Sequence, residues 1–381
     1  MAKIERIDAI IVNGGWREYI FVTVYDGDGR IGLGEATLKE KHYSVAQAVL
    51  ELGEQILGKE IGEIEKIFQE LYVKDHWRGG PVHNSALSGI ETALWDLLGQ
   101  TAGLPVWQLF GGKVHPNIRL YANGWFRQAR NEDQLLEAAS QTVSLGYTAL
   151  KWNPFLPFFQ SGKADNAAKR IQALQNSAEI VGRVRDVVGP EVDLLIECHG
   201  MLNKEEALFL IRNIESVKPL LVEEPVHPAD LDGMRWLCER SPLPIAGGER
   251  WYTRWDVLPV INKVPLSIIQ TDLCHCGGMS ELKKVATLTE AAQIRIAPHN
   301  SAGPLATIAS AHVMVTCPNF LILEVFFNDI SWREQFIESK TVITNGELHL
   351  AETPGLGVRL NSETLLPYIL KTLTTGKSPM Y

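Results

Sequence analysis

Apolar and polar residues alternate in two successive rhythms along the chain. Over residues 4–12, 19–25 and 31–35 they follow a strand period, and Asp26-Gly27-Asp28-Gly29 gives a hairpin turn before the third run. Successive side chains of a strand point to opposite faces, so this stretch predicts a three-stranded meander. Helical spacing follows at 44–57, with Ser44 as the expected cap, then at 61–77 and 84–101. Strands followed by helices describe an α+β unit, which Leu104-Pro-Val-Trp-Gln-Leu-Phe-Gly-Gly112 closes; its span is taken as 1–117. Asn13-Gly-Gly-Trp-Arg-Glu18 between the first two runs reads on its own as a plain turn.

From Ile118 the rhythm changes. Short apolar runs at 118–122, 148–152, 192–198, 219–223, 244–246, 266–270, 294–297 and 320–324 alternate with helical patterns. The helices are read at 131–145, 164–188, 204–216, 229–240, 280–292 and 305–316. Such alternation is the signature of an α/β fold, a (β/α)8-type parallel barrel, here over 118–350. The pattern then fades. Residues 351–381 are expected to end in a short helix and tail that pack back on the first unit.

Polar residues stand where those runs end. Glu197, Glu223, Glu249, Asp272, His299 and Glu324 follow one another at intervals of about one β/α unit. Barrel sites lie at the C-terminal strand ends, so six successive units would each deliver one ionisable group to one mouth. Any one of them alone reads as a polar loop cap, whereas a set in phase points to a site. Glu197, Glu223 and Glu249 offer three hard oxygen donors, suited to Mg²⁺ and also to Mn²⁺. Such an ion acidifies the α-carbon of a bound carboxylate. Asp272 next to His299 can orient the ring and raise its basicity, which marks His299 as a general base. His199, two residues after Glu197 and on the same strand face, can give a proton to a leaving hydroxyl. Glu324 can contact the substrate carboxylate or share a proton with the enediolate. Glu224, facing away from Glu223, reads as structural.

Composition narrows the classes. A net charge of −9 with no basic stripe gives no footprint for nucleic acid. An apolar content of 45% with 21% charged residues is that of a folded globular chain. No apolar window is long enough for a membrane span, and the N-terminus has no signal core. Cys198, Cys238, Cys274, Cys276 and Cys317 make an odd set, expected as reduced thiols in the cytoplasm. Cys274-His275-Cys276 is a poor zinc motif, since neighbours on a strand end face opposite ways and no second cluster lies nearby.

Taken together, Glu223-Glu-Pro225, Gly248-Glu-Arg250, Gln270-Thr-Asp272 with Gly277-Gly278, Ala297-Pro-His299 and Glu324 resemble the enolase superfamily in its mandelate-racemase-like branch. Within it, Arg78-Gly-Gly-Pro81, Ala93-Leu-Trp-Asp96, Pro105-Val-Trp-Gln-Leu and Glu249-Arg-Trp-Tyr-Thr-Arg254 are most similar to sugar-acid dehydratases of the galactonate type. The resemblance implies a modified (β/α)7β barrel with an N-terminal α+β capping domain. It implies Mg²⁺ on Glu197, Glu223 and Glu249, an Asp272–His299 base, His199 as acid, and a homo-oligomer, dimer or octamer. Capping-domain loops would close over a small sugar-acid substrate. Trp16 and Arg17 from one loop, His76 and Arg78 from another, and Lys151 and Asn153 from the second barrel strand become candidate substrate-binding residues.

Two departures from the family pattern matter. Glu197 stands where that group usually has Asp. Lys151-Trp-Asn153 replaces the Lys-x-Lys of racemases and many cycloisomerases, so the second lysine is missing. One base and one acid suit elimination, and the expected reaction is loss of the 3-hydroxyl of an aldonic acid to give a 2-keto-3-deoxy acid. The rival readings are an epimerase, racemase or cycloisomerase of a hydroxy acid, and a non-catalytic binding protein. Phe155-Leu-Pro-Phe-Phe159 is expected to reshape one pocket wall.

Overall fold

The computed structural model describes residues 1–155, 166–327, 330 and 332–376. Three antiparallel strands, β1 (Ile4–Asn13), β2 (Glu18–Asp26) and β3 (Ile31–Glu35), open the chain. The turn between β2 and β3 is held by Asp26, whose Oδ1 accepts the backbone N–H groups of Asp28 and Arg30 at 3.0 and 2.9 Å. The helix His42–Glu54 starts earlier than Ser44, with Lys41 at the cap and no side-chain cap bond. The expected helix over 61–77 is shorter, Ile64–Phe68 running into a π-helical turn Gln69–Val73. The long helix Gly80–Ala102 packs on β3 and carries Pro81 in its first turn, where a missing N–H costs nothing.

Eight parallel strands then form the barrel: β4 (Ile118–Asn123), β5 (Ala149–Trp152), β6 (Asp193–Glu197), β7 (Leu221–Glu223), β8 (Ile245–Gly247), β9 (Ile268–Ile269), β10 (Arg295–Ile296) and β11 (Leu323–Phe326). β11 pairs with β4, and an Ile296–Phe320 bridge joins β10 to the segment leading into β11, so the sheet closes. Among the described residues, the helices Glu132–Ser144, Ala167–Val188, Lys204–Ile214, Leu231–Cys238, Arg254–Lys263, Met279–Ala291 and Pro304–Met314 fill the seven connections. Several are capped locally. Asn131 accepts from Gln134 N–H, and Asn203 with Glu206 forms a reciprocal capping box. The helix Arg254–Lys263 has Pro259 inside it, and the periodicity of the sequence does not give it.

After β11 no barrel helix follows in the described residues. The strands β12 (Ile337–Ser339), β13 (Val342–Thr344), β14 (Glu347–His349) and β15 (Val358–Leu360) come instead, and β14 pairs antiparallel with β4. A final strand, β16 (Ile369–Thr374), pairs with β1 and makes the first sheet four-stranded. The sequence predicts a short helix and tail there; the helix is the single turn Ser362–Leu365, and the strand follows it. Among the described residues no helix is long and apolar enough to cross a membrane.

The barrel interior is layered. Tyr121, Ala149, Leu195, Leu221, Ala246, Ile268, Ala297 and Ile322 form one buried inner cluster. The residue two positions on from each faces the same way. Those residues are Asn123, Lys151, Glu197, Glu223, Gly248, Gln270, His299 and Glu324. An apolar layer in every strand is therefore followed, one pleat higher, by a ring that is polar in seven of eight positions. Gly248 is the exception, because a Cβ there would lie 2.6 Å from Gln270 N. Its place is taken by Glu249.

Candidate active site

Lys151 stands at the centre of the polar ring. Its side chain is fully buried, and its Nζ lies 2.8 Å from Glu223 Oε2, 3.2 Å from Glu324 Oε1 and 3.6 Å from Glu197 Oε2. Burial disfavours its charge, but Glu223 and Glu324 hold the ammonium well above its ordinary pKa. Glu197 and Glu223 are register partners on adjacent strands. Burial and then the neighbouring Glu223 push the Glu197 carboxyl well above the usual range. Gln270 donates to Glu223 Oε2 at 2.8 Å, whereas Glu223 Oε1 is buried without a hydrogen-bond partner. Two more residues complete the wall. Asn123 donates to Glu324 Oε1 at 2.6 Å, and the backbone N–H of Asn300 donates to Glu324 Oε2 at 2.8 Å. Burial opposes ionisation of Glu324, yet Lys151, His299 and these donors bring it down to about 2.

His299 lies across the ring. Its Nδ1 is 2.6 Å from Asp272 Oδ2 and its Nε2 is 3.1 Å from Glu249 Oε2. Burial works against the imidazolium, but Glu249, Glu324 and Asp272 outweigh it and raise the ring to about 10. Asp272 is not the strand end expected. β9 stops at Ile269, Gln270 occupies the ring, and Asp272 caps the turn Leu273–Cys276 by accepting Cys274 N–H at 2.7 Å. His275, on that turn, has Nδ1 3.7 Å from Asp272 Oδ2. Asp272, His275 and His299 bring potential ligand atoms within 4.8 Å of one another. Cys274 and Cys276 turn their buried thiols to backbone carbonyls instead.

His199 reaches the mouth by a different route from the strand alternation expected. β6 ends at Glu197, and His199 has φ +49°, a left-handed conformation uncommon outside glycine but one that histidine adopts more readily than most residues. Its N–H donates to Glu197 Oε1 at 2.6 Å, which holds the turn. The ring Nδ1 meets Asn153 Nδ2 at 2.9 Å, and burial lowers the pKa of the ring. Asn153 is itself oriented by Phe155 N–H, which donates to its Oδ1 at 3.1 Å. Glu224 is buried beside the cluster and pairs with Arg250 at 3.0 Å. Burial and Glu249 raise Glu224 to about 8.

The two capping-domain loops lie on different parts of the rim. Arg17 donates to the carbonyl of Ser301 and, at 3.0 Å, to its hydroxyl, two residues past His299. Its guanidinium stacks 3.6 Å from the Trp16 ring, which in turn lies 5.0 Å from Phe326 at the end of β11. Arg78 instead faces a cavity of about 600 Å³ shared with Arg250, Tyr252 and Trp255. His76 is exposed, with its ring edge-on to Trp77 at 4.7 Å. Residues 156–159 of the expected reshaped wall lie outside the described residues; Phe155 is buried.

Asn123 and Asn300 were not singled out by sequence reasoning. Asn123 had a usable signal, since it follows the inward-facing Tyr121 by two positions on β4. Asn300 has none: its N–H meets the Glu324 carboxylate and its Nδ2 donates to the Glu324 carbonyl at 3.0 Å, contacts 24 residues apart that no local period marks.

A closed barrel with an α+β cap, glutamates gathered at its mouth and a carboxylate-supported histidine beside them has the donors to bind a cation and the base to move a proton. Comparison with known proteins gives the family. Residues 134–364 match the enolase C-terminal domain-like family model. Residues 12–111 match that of the mandelate racemase / muconate lactonizing enzyme N-terminal domain. The chain belongs to the enolase superfamily and is an enzyme.

D-gluconate dehydratase of Thermoproteus tenax is 32% identical, the match covering 100% of this chain and 77% of that protein. D-galactonate dehydratase of Pectobacterium atrosepticum is 30% identical over 91% of this chain and 90% of that one. Among solved structures, an enolase superfamily member from Salmonella Typhimurium superposes with a TM-score of 0.89 at 28% identity, covering 98% and 100% of the two chains. The 3,6-anhydro-D-galactonate cycloisomerase of Zobellia galactanivorans gives 0.87 at 29% identity, over 97% and 100%.

Proposed function

We propose that this enzyme is a divalent-cation-dependent hydro-lyase that dehydrates an aldonic sugar acid in the manner of galactonate dehydratase. The observation that carries the reading is His299, held on Asp272 at 2.6 Å and facing the glutamate cluster through Glu249 at 3.1 Å. The residues fit a hard cation. Glu197, Glu223 and Glu249 supply oxygen donors from successive barrel strands, and Glu223 Oε1 is a buried acceptor with no partner of its own. Mg²⁺ held by these three residues, with Mn²⁺ suited to the same oxygens, would supply Lewis acidity that makes the hydrogen on C2 of a bound acid removable. Positive charge there would also offset part of the carboxylate field that raises His299.

The residues of the chain divide the remaining work. His299 takes the C2 proton through Nε2, while Asp272 fixes Nδ1 and stabilises the imidazolium that forms. Lys151 meets the negative charge that grows on the substrate carboxylate, and Glu324 holds Lys151 in place. His199 stands beyond Glu197, where it assists departure of the 3-hydroxyl as water. Asn153 occupies the position of the second lysine of the racemases and cannot serve as a base on the opposite face, which favours elimination over inversion. Trp16 and Arg17 close the rim above Ser301, and Arg78 faces the neighbouring cavity. All three are read as substrate-recognising positions. Turnover of a stereochemical panel of aldonic acids, followed by 2-keto acid formation with Mg²⁺ and with EDTA, tests the reading. Metal-independent product, or epimerised acid in place of keto acid, would refute it.

A further inference from the structure

We infer that the capping-domain segment 35–37 is a strut that sets the spacing of the Asp272–His299 pair, with Glu35 and His275 as its positioning residues. The inference rests on the reading of that pair as the base.

Glu35 ends β3 and is fully buried. Its Oε1 accepts the N–H of Gly303 at 2.5 Å and its Oε2 that of Ala306 at 2.9 Å. These groups open the helix Pro304–Met314, directly after the His299 loop. A helix is ordinarily capped by its own Ser, Thr, Asn or Asp. Here the cap residue is Gly303, and the capping carboxylate comes from the other domain. A Cβ on Gly303 would lie 2.6 Å from Glu35 Oε1, so glycine is what admits the carboxylate.

The same segment grips the other half of the pair. The Glu35 carbonyl accepts Cys274 Sγ at 3.5 Å, and the Thr37 carbonyl lies 3.2 Å from His275 Nε2. A carbonyl only accepts, so His275 carries a proton on Nε2 and donates it. Thr37 Oγ1 closes the bracket by donating to Glu35 Oε1 at 2.6 Å. Cys274 N–H is in turn bound to Asp272 Oδ1. Two residues of one domain, Glu35 and Thr37, thus touch both segments that carry the pair in the other. Between the two segments themselves, the pairing of 268 with 295 and 269 with 296 is continued by Ala297 N–H to Ile269 O at 2.9 Å and His299 N–H to Gln270 O at 3.3 Å, and the strut braces the residues beyond that ladder.

The test uses the full-length protein and the variants Glu35→Gln, His275→Phe and their combination. Glutamine puts an NH₂ group where one of the two backbone N–H groups needs an acceptor. Phenylalanine keeps the ring and loses the bond to Thr37. One readout needs no substrate: the downfield proton resonance of His299 Nδ1–H in its short bond to Asp272, read by NMR. The other is the split of kcat and KM on the sugar acid turned over.

Each single variant is expected to shift or broaden the resonance. Each is expected to lower kcat by about 10- to 100-fold, the scale of a sub-ångström to 1 Å misplacement, with KM within about twofold. The double variant is expected to be little worse than the worse single, because both disturb one geometry. A purely structural role would lower the melting temperature and leave the resonance and kcat at wild-type values, and that result would overturn the strut. So would full multiplication of the two kcat effects. If Glu35→Gln does not fold, His275→Phe decides alone. If the wild-type protein turns over no sugar acid, the functional reading fails and the resonance still decides the strut.

Discussion

Lys151→Met takes a positive charge out of a fully buried carboxylate cluster while keeping a chain of similar length. Lys151 Nζ lies within 3.6 Å of Glu197, Glu223 and Glu324, and among the described residues no other cation pairs with Glu223. Removing one partner from a buried ionic group leaves uncompensated charge and costs about 3–5 kcal/mol. The same change should strengthen cation binding, because the ammonium competes with any ion for those oxygens. A tenfold tighter Kd would return about 1.4 kcal/mol to the variant relative to wild type at saturation. Urea denaturation of both proteins at neutral pH, with EDTA and then with saturating Mg²⁺, measures the two gaps. The variant should be less stable by about 3–5 kcal/mol in EDTA, and the gap should narrow by a kcal/mol or more in Mg²⁺. Equal stability in EDTA would refute the electrostatic account of the cluster. A gap that Mg²⁺ leaves unchanged or widens would refute the glutamates as the cation site.

Other outcomes follow from the same contacts. His299→Asn should lower C2-proton exchange and turnover by at least ~10²–10⁴-fold, the usual worth of a general base, and exchange at the wild-type rate would remove His299 from that role. His199→Asn should impair dehydration while sparing exchange, measured by deuterium uptake against keto-acid yield; loss of both would show that it does more than assist the leaving group. Arg17→Ala breaks the charge-assisted bonds to Ser301 and should reduce kcat/KM by about 10- to 100-fold, from roughly 1.5–3 kcal/mol, which steady-state kinetics checks. Asp96 accepts the N–H groups of Leu33 and Leu356, and burial raises it to about 7. A raised carboxyl contributes stability below its unfolded pKa and loses it as pH climbs through the folded value. Asp96→Asn should therefore compare more favourably with wild type at pH 8 than at pH 5 in denaturation experiments, and the opposite trend would show that the N–H donors outweigh burial.

Much of the barrel was legible because its inward layers repeat a simple rule. An apolar residue two positions before a polar one at a strand end marks Leu195–Glu197 and Leu221–Glu223 alike, and the unit length puts the next pair in phase. The rule fails where strands stop early. His199 was placed by strand alternation, yet it sits past the end of β6 in a left-handed turn held by Glu197. Asp272 was placed at a strand end, yet Gln270 fills that position and Asp272 caps a turn. The helix Arg254–Lys263 escaped because Pro259 breaks the helical pattern without breaking the helix. Glu35 and Gly303 are 268 residues apart, and no local period links them. β16 escaped for the same reason, since its partner is the first strand of the chain. Local chemistry was readable; the contacts between the cap and the barrel needed three dimensions.

The most direct test of the central claim is incubation of aldonic acids with the enzyme in D₂O, with Mg²⁺ or EDTA, alongside His299→Asn. The account predicts a 2-keto-3-deoxy acid from at least one stereochemical series, formed with Mg²⁺, absent with EDTA and absent in the variant. Deuterium at C2 of an acid that keeps its 3-hydroxyl, with no keto product, would contradict dehydration and make the enzyme an isomerase.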